Sequence, residues 1–139
     1  EYRLGLTEAL EPCEFFAPDV WWRGIADLMI MEEGETARVI DYKTGKSQYA
    51  DTKQLEILAL AIFKHFPQVK KVKSGLLFVI AQDFVKADFT QHDESIMWMP
   101  WLSETIRLEK AYETDVWNPR PNFSCKAWCP VKDCPHNGV

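Results

Sequence analysis

A strand–turn–strand pattern in the first third of the chain constrains its fold most. The apolar stretch from Val20 to Met31 contains a single carboxylate, Asp27, and is followed by the turn residues Glu32-Glu33-Gly34-Glu35. The stretch from Thr36 to Lys43 again suits a strand, so the two are predicted to form an antiparallel hairpin. A carboxylate inside an apolar strand is costly unless it is paired or binds a cation. Asp27 is therefore a candidate functional residue.

The second strand of this hairpin ends in Asp41-Tyr42-Lys43-Thr44-Gly45. Side chains alternate along a strand, so Asp41 and Lys43 are predicted to share one face and Tyr42 to point the other way. Pairing within the hairpin brings Asp27 close to Asp41. Two carboxylates can hold a hard divalent cation, and an ammonium beside them can stabilise an attacking hydroxide or the charge growing on a phosphate. Composition alone would favour a surface ion pair at a strand end, but the flanking Gly24-x-x-Asp27 and Thr44-Gly45 favour metal-assisted phosphodiester hydrolysis.

The segment after this strand predicts a helix that is capped by Asp51 or Thr52 and ends near Phe66, before Pro67. Gln54 lies three residues after Asp51, which is the spacing of a capping box. Its side chain is therefore predicted either to satisfy amides at the helix start or to take part in the neighbouring site.

The remaining elements complete the predicted order β-β-β-α-β-β-α. Strands are predicted over Glu1–Thr7, Lys73–Ala81 and Phe84–Thr90, and a second helix from about Pro100 to Thr114. This order predicts an α/β fold with a mixed sheet flanked by helices. The chain is 47% hydrophobic and 27% charged, as expected of a globular domain. No membrane span or signal peptide is recognisable, so we expect no membrane association and a cytoplasmic location.

The charge distribution indicates a nucleic-acid surface despite a net charge of −5. Between Arg38 and Lys73 eight Lys and Arg residues face three acids, which predicts a phosphate track beside the carboxylates. The alternative is a solvated face without a binding role. Lys46 and Lys53 are candidate DNA contacts. Trp22 is a candidate for stacking on a base, with ordinary packing as its alternative.

The chain resembles the PD-(D/E)XK nuclease superfamily in three motifs that occur in the same order. They are Gly24-Ile25-Ala26-Asp27, Asp41-Tyr42-Lys43-Thr44-Gly45 and Gln54. Within it they resemble the RecB-like exonuclease branch of phage and bacterial type. The resemblance implies a restriction-endonuclease-like fold and a Mg²⁺- or Mn²⁺-dependent DNA exonuclease of recombination, repair or phage DNA metabolism. It implies metal binding by Asp27, Asp41 and the backbone carbonyl of Tyr42. It further implies that Lys43 assists the attacking water and that Gln54 orients a phosphate or the lysine.

Two other functions remain open on the same residues. One is a structure-specific or restriction-type endonuclease of the same fold, and the other is a non-catalytic nucleic-acid-binding module.

DNA is the expected partner, together with other recombination or replication proteins. The expected location is a bacterial cell, with a phage or bacterial gene as the source. We expect a nuclease core over residues 1–116 and a Cys-rich tail over 117–139 packed on it. Because the chain begins with Glu1 rather than Met, an upstream segment is also expected, and in the RecB-like branch such a segment often contributes a further acidic or His ligand.

The tail places Cys125, Cys129, Cys134 and His136 close together among prolines, with little apolar content to fold on its own. Such a segment commonly needs a staple. Three thiolates and an imidazole could bind Zn²⁺. Relatives in the RecB-like branch instead carry a [4Fe–4S] cluster on four cysteines, for which Cys13 or an upstream cysteine would be the fourth. Disulfides, which require an oxidising compartment, and free thiols are the two remaining alternatives.

Overall fold

The computed structural model describes residues 1–138, with the side chain of Tyr49 excepted, and has a mixed α/β architecture. Its strands are β1 (Tyr2–Thr7), β2 (Pro12–Cys13), β3 (Val20–Ala26), β4 (Leu28–Glu32), β5 (Thr36–Lys43), β6 (Lys71–Phe78) and β7 (Asp83–Thr90). Its helices are α1 (Lys53–His65), α2 (Glu94–Thr114) and α3 (Phe123–Ala127). The predicted fold class, a mixed sheet flanked by helices, is confirmed.

The strands form two sheets. The smaller sheet has the order β2-β1-β3 and the larger has the order β4-β5-β6-β7. In the larger sheet β5 pairs antiparallel with β4, as the predicted hairpin requires, and parallel with β6. Parallel neighbours need a crossover connection, and α1 lies in the chain between β5 and β6. This arrangement places the C-terminal end of β5 next to the start of α1.

The predicted single strand from Val20 to Met31 is wrong, because the chain bends at Asp27 and changes sheets. Before the bend β3 pairs with β1, and after it β4 pairs with β5, with Leu28 opposite Ile40. The backbone N–H of Tyr42 donates to Oδ2 of Asp27 at 2.9 Å. This side-chain acceptor continues the hydrogen bonding of β5 where the backbone ladder with β4 has ended. The apolar pattern is the same on both sides of the bend and therefore gives no sign of it.

α1 is the centre of the hydrophobic core and shares it with residues of both sheets. Every residue from Ile57 to Phe63 is buried, in one cluster with Leu4 and Leu6 of β1 and with Ala37 and Val39 of β5. A helix that is apolar around most of its circumference has to be covered on several sides. The sequence prediction of a helix that ends near Phe66 is confirmed.

The chain divides into two compact units, Glu1–Trp101 and the part from Leu102 onwards. The prediction that the second helix begins near Pro100 is wrong, because α2 starts at Glu94 and contains this proline. Glu94 stabilises the early start, since its carboxylate pairs with Lys64 at 2.7 Å and accepts from the indole of Trp98 at 3.3 Å. The predicted packing of residues 117–139 on the core stays a prediction. Within the described residues no helix is long and apolar enough to cross a membrane.

Candidate active site

The candidate site forms where the last residues of β5 meet the first turn of α1. Asp41 shares the core-facing side of β5 with Ala37 and Val39 and is only 4% exposed. Lys43 follows on the same face, and Tyr42 turns outward with 49% of its surface exposed. The alternation expected from the sequence therefore holds through the end of the strand. It puts a buried carboxylate and an ammonium side by side.

Three side chains form a closed set of contacts at this point. The ammonium of Lys43 lies 2.6 Å from Oδ2 of Asp41 and donates to Oε1 of Gln54 at 2.7 Å. The amide of Gln54 in turn donates to Oδ1 of Asp41 at 2.8 Å. Each member thus fixes the other two. Their mutual positions are determined before any ligand arrives, which is what a catalytic site requires of its supporting contacts.

The buried oxygen Oδ2 of Asp41 is a suitable ligand for a cation. Lys43 approaches it within ion-pairing distance, but within the described residues no donor meets it in hydrogen-bond geometry. A buried carboxylate oxygen that lacks a hydrogen bond is costly and needs a further partner. A hard divalent cation is such a partner, since it prefers carboxylate oxygen.

Asp27 reaches the same end of β5 from the bend between β3 and β4. Its Oδ2 accepts the N–H of Tyr42, which belongs to the peptide unit that directly follows Asp41. The carboxylate of Asp27 is therefore anchored next to Asp41 by one of its two oxygens. The structure brings Asp27, Asp41, Lys43 and Gln54 together, as the sequence pattern indicates.

Gln54 is available for this site because other residues serve the start of α1. Oδ1 of Asp51 accepts the N–H of Lys53 at 3.0 Å, while Thr52 precedes the helix without a side-chain cap. Among the described residues, the side chain of Gln54 makes hydrogen bonds to Asp41 and Lys43, and neither is to a helix amide. The positive end of the α1 dipole also favours the nearby anionic Asp41.

The predicted phosphate track is largely neutralised by acids from other parts of the chain. Arg38 and Lys73 both pair with Glu32, at 2.6 and 3.2 Å. Their hydrogen bonds lower the pKa of the Glu32 carboxyl below its usual value. Two further lysines of the same window are paired as well, Lys64 with Glu94 and Lys71 with Asp88. The charge excess in the sequence is therefore not a continuous basic surface.

The two lysines singled out as DNA contacts remain outside this network. Lys46 and Lys53 are exposed, and no ion pair involves either of them in the described part of the chain. Lys46 lines a cavity of about 390 Å³ together with Lys43 and Gln54. Trp22 is half-buried against the core, and its ring covers Gly24, where an added Cβ would lie 2.2 Å from the ring.

The comparison with protein families agrees with this geometry. The model of the PD-(D/E)XK nuclease superfamily matches residues 5–134. The chain belongs to the PD-(D/E)XK nuclease superfamily. The match includes the four residues of the candidate site and continues into the cysteine tail. Searches of the curated proteins and of the solved structures found no match. Membership of the PD-(D/E)XK superfamily indicates a nuclease.

The cysteine tail has no support as a metal site. Among residues 1–138 no group of three or more His, Cys, Asp or Glu side chains is arranged to hold an ion, and the four cysteines are free thiols. The tail is held by hydrogen bonds instead, from Gly138 N to Cys125 O at 3.1 Å and from Asn137 Nδ2 to Cys129 O at 3.2 Å. Cys13 belongs to β2 opposite Gly5, and burial together with Asp19 raises the pKa of its thiol. The predictions of zinc and of an iron–sulfur cluster, with Cys125, Cys129, Cys134 and His136 as ligands, are therefore unsupported.

Proposed function

We propose that this protein is a metal-dependent DNA nuclease whose active site is built from Asp27, Asp41, Lys43 and Gln54. The observation that carries the proposal is the closed set of contacts among Asp41, Lys43 and Gln54. A lysine that only stabilised a strand end would need no amide to hold it in place. Here the amide fixes both the carboxylate and the ammonium, within the residues that match the nuclease superfamily.

Asp27, Asp41 and the backbone carbonyl of Tyr42 would hold the cation, for which we propose Mg²⁺ or Mn²⁺. The buried Oδ2 of Asp41 without a hydrogen bond and the second oxygen of the Asp27 carboxylate fit such an ion. When bound, the ion lowers the pKa of a coordinated water and neutralises charge on the phosphate.

Lys43 is suited to act on the phosphate or on the attacking water. Its ammonium has three N–H donors. It donates a hydrogen bond to Gln54, and the ion pair with Asp41 at 2.6 Å holds it from a second side. A remaining donor can approach a phosphate oxygen or the nucleophile while these two contacts hold the group in place. Arginine would be a poor substitute, because its wide planar fork cannot occupy the position of a compact ammonium.

Gln54 acts as a positioning residue in this proposal. Its carbonyl accepts from Lys43 while its amide donates to Asp41, so it holds the ammonium and the carboxylate next to each other. A hydrogen-bonded neutral amide can do so without adding charge to a site that has to admit a phosphate.

For the cutting mode we propose an exonuclease of RecB-like type, acting in recombination, repair or phage DNA metabolism. The order Gly24-x-x-Asp27, Asp41-x-Lys43-Thr44-Gly45 and Gln54 supports this choice. We further propose that the protein is located in the bacterial cytoplasm, with a phage or bacterial gene as its source. Other recombination or replication proteins are its proposed partners. A structure-specific or restriction-type endonuclease and a non-catalytic binding module are the alternatives that the experiment must separate.

The test is cleavage of end-labelled linear DNA, single- and double-stranded, beside covalently closed circles of the same sequence. Each substrate is incubated with Mg²⁺, with Mn²⁺ and with a chelator, and Lys43→Ala serves as the inactive control. We expect metal-dependent loss of linear DNA with the circles intact. Cutting of closed circles would establish the endonuclease alternative. Binding without cleavage under every metal condition would overturn the proposed activity and leave the binding module.

A further inference from the structure

Two arginines of the smaller sheet contact two phenylalanines in the turn that follows β2. Arg3 of β1 and Arg23 of β3 are diagonal neighbours across the strand pair, because Arg3 lies opposite Ile25 and Arg23 opposite Gly5. Their guanidinium carbons lie 5.4 to 5.9 Å from the ring centres of Phe15 and Phe16. We call Arg3, Arg23, Phe15 and Phe16 the Arg–Phe patch.

The two guanidiniums of the Arg–Phe patch are available for a ligand. Both arginines are exposed, and in the described part of the chain no carboxylate lies within ion-pairing distance of either. Contact with an aromatic ring uses the flat side of a guanidinium and leaves the N–H groups at its edge free to donate. Those donors match the oxygens of a phosphate. Four basic residues of the sequence window between Arg38 and Lys73 are, by contrast, paired with acids: Arg38, Lys64, Lys71 and Lys73.

The aromatic part of the patch is open to solvent as well. Phe16 is 71% exposed and meets Phe15 edge to face, with ring centres 4.9 Å apart. A groove of about 680 Å³ that is lined by Arg3, Phe15 and Phe16 opens beside them. Exposed aromatic rings next to cationic groups are the means by which proteins hold unpaired nucleic-acid strands, because every base can stack on a ring. Paired bases are not accessible to such a ring.

Strand β3 connects the patch to the candidate active site along the chain. This strand leads from Arg23 through Ile25, the partner of Arg3, to the bend at Asp27. At roughly 3.3 Å per residue, Ile25 and Arg23 lie about 7 and 13 Å along the chain from Asp27. A strand of DNA with one phosphate at the active site can therefore cover the patch with its next few nucleotides.

We propose that the Arg–Phe patch binds single-stranded DNA a few nucleotides away from the cleaved bond, with phosphates on Arg3 and Arg23 and a base on Phe16. The proposal rests on the nuclease function proposed above, because DNA is the ligand that this function implies. The patch supplies affinity and directs the strand, while Asp27, Asp41, Lys43 and Gln54 act on the bond.

The test is binding of labelled oligothymidylates to the full chain by fluorescence anisotropy, in chelator so that no cleavage occurs. A short oligonucleotide of about four nucleotides is compared with a long one of about sixteen over a series of salt concentrations. The variants are Arg3→Gln, Arg23→Gln and Phe16→Leu, the last of which keeps an apolar side chain and removes the ring. Lys86→Gln, at an exposed lysine on the larger sheet, is the matched loss of one charge.

Each arginine variant should weaken binding of the long oligonucleotide and reduce the slope of log K against log salt by about 0.7, the value for one phosphate contact on a single strand. Phe16→Leu should weaken it by about 5- to 150-fold without a change in slope, as expected for the loss of one stacked base. Binding of the short oligonucleotide should be weakened in the same direction, because about four nucleotides can reach the patch, and Lys86→Gln should bind both with near wild-type affinity. Thermal unfolding of each variant shows that it is folded.

The outcomes separate this inference from the proposed function. Unchanged affinity and slope in the arginine and Phe16 variants would overturn the inference, whether or not the wild type cuts DNA. A loss equal to that of Lys86→Gln would overturn it too, because the effect would then be one of charge alone. Patch-dependent binding by a wild-type protein that cuts no DNA would support the inference and refute the nuclease.

Discussion

The side-chain amide of Gln54 donates to Oδ1 of Asp41 across 2.8 Å and so ties the start of α1 to the end of β5. The same side chain accepts a hydrogen bond from Lys43. It is the one neutral member of the set formed by Asp41, Lys43 and Gln54. Its position on a helix rather than on a flexible loop keeps the distance between the two charged groups constant. The amide therefore has a function distinct from those of the residues that would touch the metal or the phosphate.

Replacing Gln54 should lower the rate of the chemical step more than the binding of DNA. Gln54→Ala removes the contacts that hold Lys43 and Asp41, and the loss of such supporting contacts typically costs about 10- to 100-fold in activity. Steady-state cleavage should show a fall in kcat with a nearly unchanged KM. Gln54→Glu is the informative companion, because it can accept from Lys43 but places a second carboxylate against Asp41. Wild-type kcat in Gln54→Ala would show that the amide has no part in catalysis.

Asp41→Asn should abolish cleavage and leave DNA affinity equal to or higher than that of the wild type. The amide keeps an oxygen for the Gln54 donor, but it removes the negative charge that a cation needs and that repels phosphate. Cleavage and anisotropy measured in the same metal-containing buffer check both parts. If Asp41→Asn cuts at the wild-type rate, Asp41 is not a metal ligand.

Asn and Ala at position 27 should separate the structural role of Asp27 from its chemical role. Asp27→Asn retains an acceptor for the N–H of Tyr42, so the bend should persist while cleavage is lost. Asp27→Ala leaves that N–H without its partner, which costs about 1 to 3 kcal/mol where a group is buried and less where water can reach it. Urea unfolding should place Asp27→Asn near the wild type and Asp27→Ala below it. Equal stability of the two variants would mean that the contact with Tyr42 does not hold the bend.

Glu32 should contribute to a loss of stability in acid. Hydrogen bonds from Arg38 and Lys73 lower its pKa in the folded state below the usual value of 4.5. The folded protein therefore binds the proton less readily than the unfolded chain, and its stabilisation is present above pH 4.5 and decreases as the pH falls through the lower, folded pKa. Urea midpoints measured from neutral pH downwards should fall less steeply in Glu32→Gln than in the wild type. Parallel curves would show that the ion pairs are too well solvated to matter.

The sequence reveals those parts of the site that depend on local periodicity. Alternation along β5 places Asp41 and Lys43 on one face, and the apolar spacing of α1 predicts its burial and its end. The bend at Asp27 escapes prediction because its contact is with the amide of Tyr42, fifteen residues away, while the residues on both sides favour a strand. The acidic partners of the basic residues between Arg38 and Lys73 could not be predicted for the same reason. Glu32, Asp88 and Glu94 are far from their lysines in sequence and adjacent to them only in the fold.

The pairing of β5 with a different strand on each side has a consequence for the order of folding. The ladder with β4 closes a short hairpin whose turn contains Gly34 at a positive φ of 74°, and the loop-closure entropy of such a hairpin is small. The ladder with β6 requires the whole of α1 to be spanned first, and contacts of larger sequence separation form more slowly. Asp27 and Tyr42 should therefore meet early, with the hairpin, and Gln54 should reach Asp41 later, with the crossover.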